Sequence, residues 1–427
     1  MKKIKFFLGL LLYISLASAQ YPFGGWTTLK IETNLPANPI DKPAGGKLTG
    51  DWKPILIEEF VPNPNFLSKI DENKWNFGEY GDDGLCDTKG GTVPDRRNIR
   101  AIENPDLPGD GLLQMDVIAQ KHDSCQQFKG GMGAEIKTFS NLEDFRSFWL
   151  YPNTYMELRV KQTFGFTLGV GIFLYPAWQP YLTEIDFCET LLDPLQNSDS
   201  KTWSGNSNGK QDEYSNGYIW GESYKKPNFS CQNKVQIKDK QGKAVEMEGE
   251  WLIWGLEWYE DKIRYYLNNE LQREIDLSEP PSCNHSHGVL YYKPQPMAFR
   301  FTHGNVTSEK NQLPANVTKS LFVDYIRAYQ PADFQVIQDR YIPKKICDNG
   351  NGDNISVRYY PDVIYEWSSP AFDFTPKDIA ASAHCFCEMQ RMQPKPTLAW
   401  GTYPVFLTAT LPDGRIENHT WQVEFGH

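Results

Sequence analysis

Apolar side chains recur at every second position through much of the first 330 residues, and no convincing amphipathic helix interrupts them. In Leu113-Gln114-Met115-Asp116-Val117-Ile118-Ala119 the odd positions are apolar, and in Tyr155-Met156-Glu157-Leu158-Arg159-Val160-Lys161 the even ones face a core. The same period returns in 262–267 and 321–329. Phe166 to Tyr175 is apolar on both faces, as in a strand covered on two sides. Gly, Pro, Asn and Asp turns separate these runs. Such a chain is predicted to fold as an all-β antiparallel sandwich or jelly roll.

The texture changes after Tyr329-Gln330-Pro331. Asp348 to Asn354 is a polar loop, a short helix is predicted over Lys377 to Met392, and Val405 to Leu411 with Arg415 to Phe425 flank Pro412-Asp413-Gly414 as a hairpin. The expected organisation is one large domain over 20–330 and a small β-rich module, of immunoglobulin-like kind, over 331–427. Residues 1–19 are expected to be a signal peptide. Lys2, Lys3 and Lys5 form a positive head, Phe6 to Leu16 an apolar run, and Ala17-Ser18-Ala19 a cleavage site before Gln20. The apolar run is too short to span a bilayer. The mature chain is therefore expected to be secreted, with no membrane partner.

Charge narrows the partners. Removing a leader with three lysines and no acids takes the formal charge from −11 to −14. A surface this acidic repels nucleic acid and, more weakly, heavily sulfated polysaccharide, so a neutral polymer is the easier partner. Aromatic residues make up 14% of the chain, with 13 Trp. Sugar-binding clefts use such faces, but most are expected to be ordinary strand formers in the core.

Eight cysteines in an exported chain suggest disulfides. Cys86 with Cys125 and Cys231 with Cys283 are candidate pairs, and Cys347 is a candidate partner for Cys385 or Cys387. Cys188 is expected to be a buried thiol outside any disulfide. His384, Cys385 and Cys387 lack the paired spacing of a zinc site. Six glycosylation triplets begin at Asn228, Asn284, Asn305, Asn316, Asn354 and Asn418, several of them expected on surface loops.

The informative segment is Glu184-Ile185-Asp186-Phe187-Cys188-Glu189. Three carboxylates in an otherwise apolar strand are costly unless they face a cleft and share charge. Period two puts Glu184 and Asp186 on one face and Glu189 on the other. A one-residue β-bulge at Phe187 or Cys188 would restore it. The two glutamates then lie roughly 13 Å apart along a flat strand. Retaining glycosidases bring their carboxyl groups to about 5 Å, so this strand would have to bend and its side chains lean inward. In that chemistry Glu184 is the ionised nucleophile, Glu189 the acid and then the base, and Asp186 the helper bonded to Glu184.

Glu184 to Glu189 resembles the signature of family-sixteen glycoside hydrolases, in its bulged, laminarinase-like form. Other segments fall in that family's order. Leu56-Ile57-Glu58-Glu59-Phe60 with Lys74-Trp75 resembles its opening strand, and Tyr155 to Lys161 the strand before the catalytic one. Gly217-Tyr218-Ile219-Trp220-Gly221 is similar to its Thr-x-His-Trp-Gly segment, Trp251 to Leu267 to its Glu-Trp strand and the next, and Val323 to Gln330 to its closing strand. The match covers roughly residues 50 to 330. It implies a curved jelly roll with a concave cleft, a retaining mechanism with Glu184, Asp186 and Glu189 in the roles above, and Trp220 as a sugar platform. Trp178, just before the catalytic strand, is a looser candidate.

Thr183 stands where the family usually has Gly, Ile219 replaces the family's His, and the 206–216 loop is lengthened, so substrate preference is open. The expected activity is endo-hydrolysis of β-1,3- or mixed β-1,3/1,4-glucan by a monomer. The rivals are a galactan hydrolase of the same family, acting on agarose or carrageenan, and a glucan-binding lectin on the same fold, which typically lacks the acids. No cofactor is required. A structural Ca²⁺ is common in the family, but no ligand set can be read.

Overall fold

The computed structural model describes residues 26–60, 75–77, 93–118, 132–138, 148–161, 168–176, 182–191, 213–223, 226–277, 297–305, 318–337, 339–347, 352–358, 363–376, 387–411 and 415–426. The proposed leader, Trp178, Cys86, Cys125, Cys283, Cys385, Asn284 and Asn316 lie outside them. The chain divides into two units, Met1–Ala332 and Asp333–His427. No helix among the described residues is long and apolar enough to cross a membrane.

The first unit is built from β1 (Trp26–Lys30), β2 (Trp52–Glu58), β3 (Asn76–Phe77), β4 (Val93–Pro94), β5 (Ile99–Glu103), β6 (Gly111–Ile118), β7 (Met132–Lys137), β8 (Thr154–Lys161) and β9 (Leu168–Pro176). It continues with β10 (Leu182–Leu191), β11 (Glu213–Ser223), β12 (Lys226–Lys238), β13 (Trp251–Trp258), β14 (Lys262–Leu267), β15 (Glu270–Asp276), β16 (Met297–Asn305) and β17 (Thr318–Pro331). One curved sheet runs β1-β12-β11-β10-β9-β16-β7-β3. The other runs β5-β6-β17-β8-β13-β14-β15, with β2 also on β17. This is the two-sheet jelly-roll sandwich that the alternation predicts.

The core between the sheets explains the period. Ile172 and Leu174 of β9, Ile185 of β10 and Phe299 and Phe301 of β16 meet Met156, Leu158 and Val160 of β8 and Trp254 and Leu256 of β13. Trp75, Trp254 and Trp258, three of the chain's 13 tryptophans, are fully buried in this core. Apolar burial of this kind contributes about 25 cal/mol per Å² removed from water and is the main force holding the sheets together.

The second unit contains β18 (Asp339–Tyr341), β19 (Lys345–Cys347), β20 (Asp353–Arg358), β21 (Ile364–Ser368), β22 (Phe372–Pro376), β23 (Cys387–Pro394), β24 (Gly401–Thr410) and β25 (Ile416–Gly426). They form two four-stranded sheets, β18-β20-β23-β22 and β19-β25-β24-β21. Ile346, Ile355, Phe372, Met392, Val405 and Val423 form a core of their own.

Three expectations are corrected in the described residues. The helix over Lys377 to Met392 is replaced from Cys387 onward by β23, paired on one side with β20 and on the other with β22. Glu388, Met389, Gln390 and Arg391 suit a helix locally, but two ladders of strand pairing override that preference. Cys347 keeps an exposed thiol and joins neither Cys385 nor Cys387. It ends β19 in one sheet, whereas Cys387 opens β23 in the other. The glycosylation triplets at Asn228, Asn305, Asn354 and Asn418 begin within strands rather than loops. A strand period places Asn and Ser or Thr two apart on one face, so the triplet arises there without any loop.

Candidate active site

Strand β10 carries the three acids, and its neighbours reveal where the register slips. Against β9, Asp186 faces Phe173 while Cys188 faces Ile172, two residues against one. Against β11, Asp186 faces Gly217 and Glu189 faces Ser215. The extra residue is Phe187, which turns inward with Cys188 into the core and packs edge-on against Phe299, ring centroids 6.4 Å apart. Two consecutive inward residues reset the alternation. Glu189 therefore returns to the face that carries Glu184 and Asp186.

Following the ladders outward maps this face in rows. The Asp186 row reads Gly217, Asp186, Phe173, Arg300 and Lys137 across β11, β10, β9, β16 and β7. The Glu189 row reads Ser215, Glu189, Gly171, Thr302 and Glu135 across the same strands. Both rows are held in place. The Ser215 hydroxyl donates to the Glu189 carbonyl at 3.2 Å, the Val170 amide donates to Thr190 Oγ1 at 3.1 Å, and the Tyr265 hydroxyl, from the opposite sheet, donates to the Gly217 carbonyl at 2.7 Å.

Burial sets the electrostatics. Glu184 and Asp186 are each 2% exposed, and Glu189 is half-buried with Oε2 enclosed and without a hydrogen-bond partner among the described residues. Burial is the main cause that pushes Glu184 well above the usual carboxylate range, followed by the charges of Asp186 and Glu189 and a hydrogen bond with Asp186. Burial and then Asp186 push Glu189 up likewise. Three acids side by side on one strand each oppose ionisation of the others, and with burial this raises the proton affinity of Glu184 and Glu189 together. A group that donates a proton near neutral pH requires such a rise.

Of the other candidates, Trp220 stands opposite Thr183 on β11, one position off the row in which Glu184 faces Ile219. Its side chain, like Trp178, lies outside the described residues. Among the described residues, aromatic side chains on the acids' face include Phe173 and Tyr175 of β9, both buried, with the partly exposed Trp149 packed on them. In the sequence, Phe173 and Tyr175 stand out only as members of a doubly buried strand. Their spacing of two was the available signal, but only the pairing of β9 with β10 assigns them to the acids' face. Among the described residues no cluster of three or more His, Cys, Asp or Glu could hold a metal ion. Asp324 of the closing strand is taken up by Arg159, at 2.7 Å.

No family model matches the chain, and no curated protein sequence matches it. Among solved structures it is similar to the catalytic domain of an endo-1,3-β-glucanase (laminarinase) from Thermotoga petrophila, at 16% identity and a TM-score of 0.47, over 67% of this chain and 100% of that one. A family-sixteen endo-glucanase from Bacteroides ovatus gives 12% identity and a TM-score of 0.45 over 64% and 99%. An endo-β-1,3-glucanase from Pyrococcus furiosus gives 15% and 0.44 over 66% and 95%. At identities this low the chemistry of the site rests on its own residues.

Proposed function

We propose that the protein is a secreted, retaining endo-glycosidase that hydrolyses β-1,3- or mixed β-1,3/1,4-linked glucan. The reading is carried by one observation, the slip at Phe187 that returns Glu189 to the face of Glu184 and Asp186. Glu184 attacks the anomeric carbon and forms a glycosyl ester while the bond to the leaving sugar breaks and Glu189 gives that oxygen its proton. Glu189, now ionised, takes a proton from water, whose oxygen displaces Glu184 and restores both groups. Asp186, bonded to Glu184, shares the charge that Glu184 gains and loses.

Charge favours a neutral chain. Among the described residues the groove face holds four acids, Glu135, Glu184, Asp186 and Glu189, against two cations, Lys137 and Arg300, a balance that resists a sulfated galactan. A lectin would have no use for three costly acids in one dry strand. Incubating the mature protein with laminarin, barley glucan, agarose and carrageenan and measuring reducing ends tests the reading. Release from the first two supports it, with products that keep the β configuration by NMR. Release only from agarose or carrageenan moves the substrate to galactans, and binding without release from any of the four favours the lectin.

A further inference from the structure

In the second unit, the sheet β19-β25-β24-β21 buries Val405, Leu407 and Ala409 completely, so the alternate positions of β24 and its partners form the outer face. That face reads in three successive rows, Ile364-Thr410-Ile416, Glu366-Thr408-Asn418 and Ser368-Phe406-Thr420. Ile364, Phe406 and Ile416 are 63%, 40% and 61% exposed, so large apolar side chains meet solvent on both sides of the polar middle row. The edge of the sheet is open there as well. β19 pairs with β25 only at Glu424, Phe425 and Gly426, and from Ile416 to Val423 no strand among the described residues lies on that side of β25. An unpaired edge beside apolar side chains is a template for another chain unless something blocks it.

Asn418 stands in the middle of this surface and begins the triplet Asn418-His419-Thr420. Asn418 and Thr420 are both exposed on the outer face, and His419 between them faces Leu407 on the inner one. The Thr408 hydroxyl donates to Asn418 Oδ1 at 2.8 Å. This orients the carboxamide and leaves Nδ2, the atom that a glycan joins, on the branch turned away from β24. Asn354, which begins another triplet, is placed differently. It is half-buried, its Oδ1 accepts from Arg391 at 3.5 Å, and its Ser356 is buried.

We propose that Asn418 is an N-glycosylation site whose oligosaccharide covers Phe406, Ile416 and the open edge of β25. The inference rests on the export part of the proposed function and is independent of the groove chemistry. The donor is a lipid-pyrophosphate-linked oligosaccharide of a secretory compartment. Asn418 Nδ2 bonds to the anomeric carbon of its first sugar while the bond from that carbon to the pyrophosphate oxygen breaks. The lipid pyrophosphate leaves with the electron pair, and Nδ2 gives up one proton. The amide product keeps Oδ1 as an acceptor, so the bond from Thr408 survives. Ile416 lies two residues before Asn418 on the same face, and Phe406 lies diagonally across on β24, facing Thr420. The apolar face of a pyranose ring can rest on such side chains, and its hydroxyls give the surface back to water. A bulky, solvated tree at this position also denies a second chain access to the backbone groups of β25.

The test expresses the whole chain in a eukaryotic secretory host behind a heterologous leader, so that a failure of residues 1–19 to direct export does not bear on the result. Enzymatic release of N-glycans in heavy-oxygen water converts each occupied Asn to a labelled Asp, which peptide mass spectrometry reads. Asn418 is expected to carry the label in most molecules, and an unlabelled Asn418 in the secreted protein overturns the proposal. Thr420→Ser should keep the label and Thr420→Ala should remove it, because the triplet needs a hydroxyl at its third position. Analytical ultracentrifugation tests the covering role. Asn418→Gln and Thr420→Ala are expected to form dimers or larger species at concentrations where the glycosylated protein stays monomeric, and adding Ile416→Thr should reverse this. If neither variant is secreted, native enzymatic release of the glycan from wild type gives the same comparison. Unglycosylated protein that associates no more than the glycosylated form overturns the covering role.

Discussion

Glu189 stands directly opposite Gly171 across the β9–β10 ladder, so the proposed acid/base faces a groove-side position of β9 that has no side chain. A β-carbon built on Gly171 would lie 2.8 Å from Thr302 Oγ1 and 3.3 Å from the Phe173 ring. The glycine is required by close packing of the groove floor, not by its backbone angles. Gly171→Ala is expected to destabilise the unit by about 1–3 kcal/mol through overpacking, and to lower kcat by displacing Phe173. Urea denaturation and steady-state kinetics on laminarin measure the two effects, and a variant as stable and active as wild type would show that the floor has slack.

The division of roles predicts opposite behaviour for the two glutamates. Glu184→Gln should lose turnover by about 10³-fold or more, while retaining oligosaccharide binding by calorimetry, because it removes the nucleophile but little of the groove surface. Glu189→Ala should hydrolyse an activated aryl glycoside slowly and be partly rescued by azide, which needs no general base. Near-wild-type turnover in Glu184→Gln would mean that the roles are misassigned.

Deleting Phe187 should abolish the bulge and leave the acids on one face. Without it, Ile185 and Cys188 alternate inward while Asp186 and Glu189 alternate outward. The cost is the loss of a buried ring against Phe299, on the order of 3–5 kcal/mol. The expected outcome is a less stable protein with altered but measurable activity. Inserting one alanine after Phe187 should likewise let the strand alternate without a bulge and keep Glu189 outward, but farther along the strand from Glu184, and so lower activity more than the deletion does. The two changes, compared by thermal melts and reducing-end assays, separate strand register from mere damage.

His303 supplies a pH dependence of stability. It is fully buried, its Nδ1–H donates to the Met115 carbonyl at 3.0 Å, and burial depresses it to about 4 from 6.5. The unfolded chain therefore binds this proton more readily than the folded one. The neutral ring's full contribution is present above about pH 6.5 and falls as the pH drops toward 4, by about 3 kcal/mol in total. His303→Leu should start about 1 kcal/mol less stable at pH 7, having lost the bond to Met115, and overtake the wild type near pH 4. Glu184 and Glu189 are shifted upward and act with the opposite sign, but equally in both proteins. Urea midpoints at pH 7, 5.5 and 4 provide the comparison, and parallel curves would remove His303 as the cause.

The strands were legible wherever one face is covered and the other is not. Lys262 to Leu267 was delimited to the residue, and Tyr155 to Lys161 to within one. The bulge was legible too, because three acids in six residues cannot share a face without one. Arg300, Phe173 and Tyr175 were not legible as sharing the acids' face, since only the ladders joining β16 to β9 and β9 to β10 place them there. Nothing within ten residues of Arg300 announces Glu184. The helix read into Lys377 to Met392 failed for the same reason, since local preference was visible and the partners β20 and β22 were not.

The order of strands in the groove sheet also bears on how the protein is made. β16 sits between β9 and β7, and β17 contacts β2, β6 and β8, so the last two strands of the unit are inserted among the early ones. A ribosome releases β10, acids and all, well before the arginine-bearing strand exists. Until then β9 presents an unpaired edge, and its neighbour's carboxylates stay wet. Pairings so distant in sequence fold slowly and leave edges open to aggregation. Nascent chains halted before residue 297 should consequently depend on chaperones, and Glu184 and Asp186 are covered only once synthesis of the unit is complete.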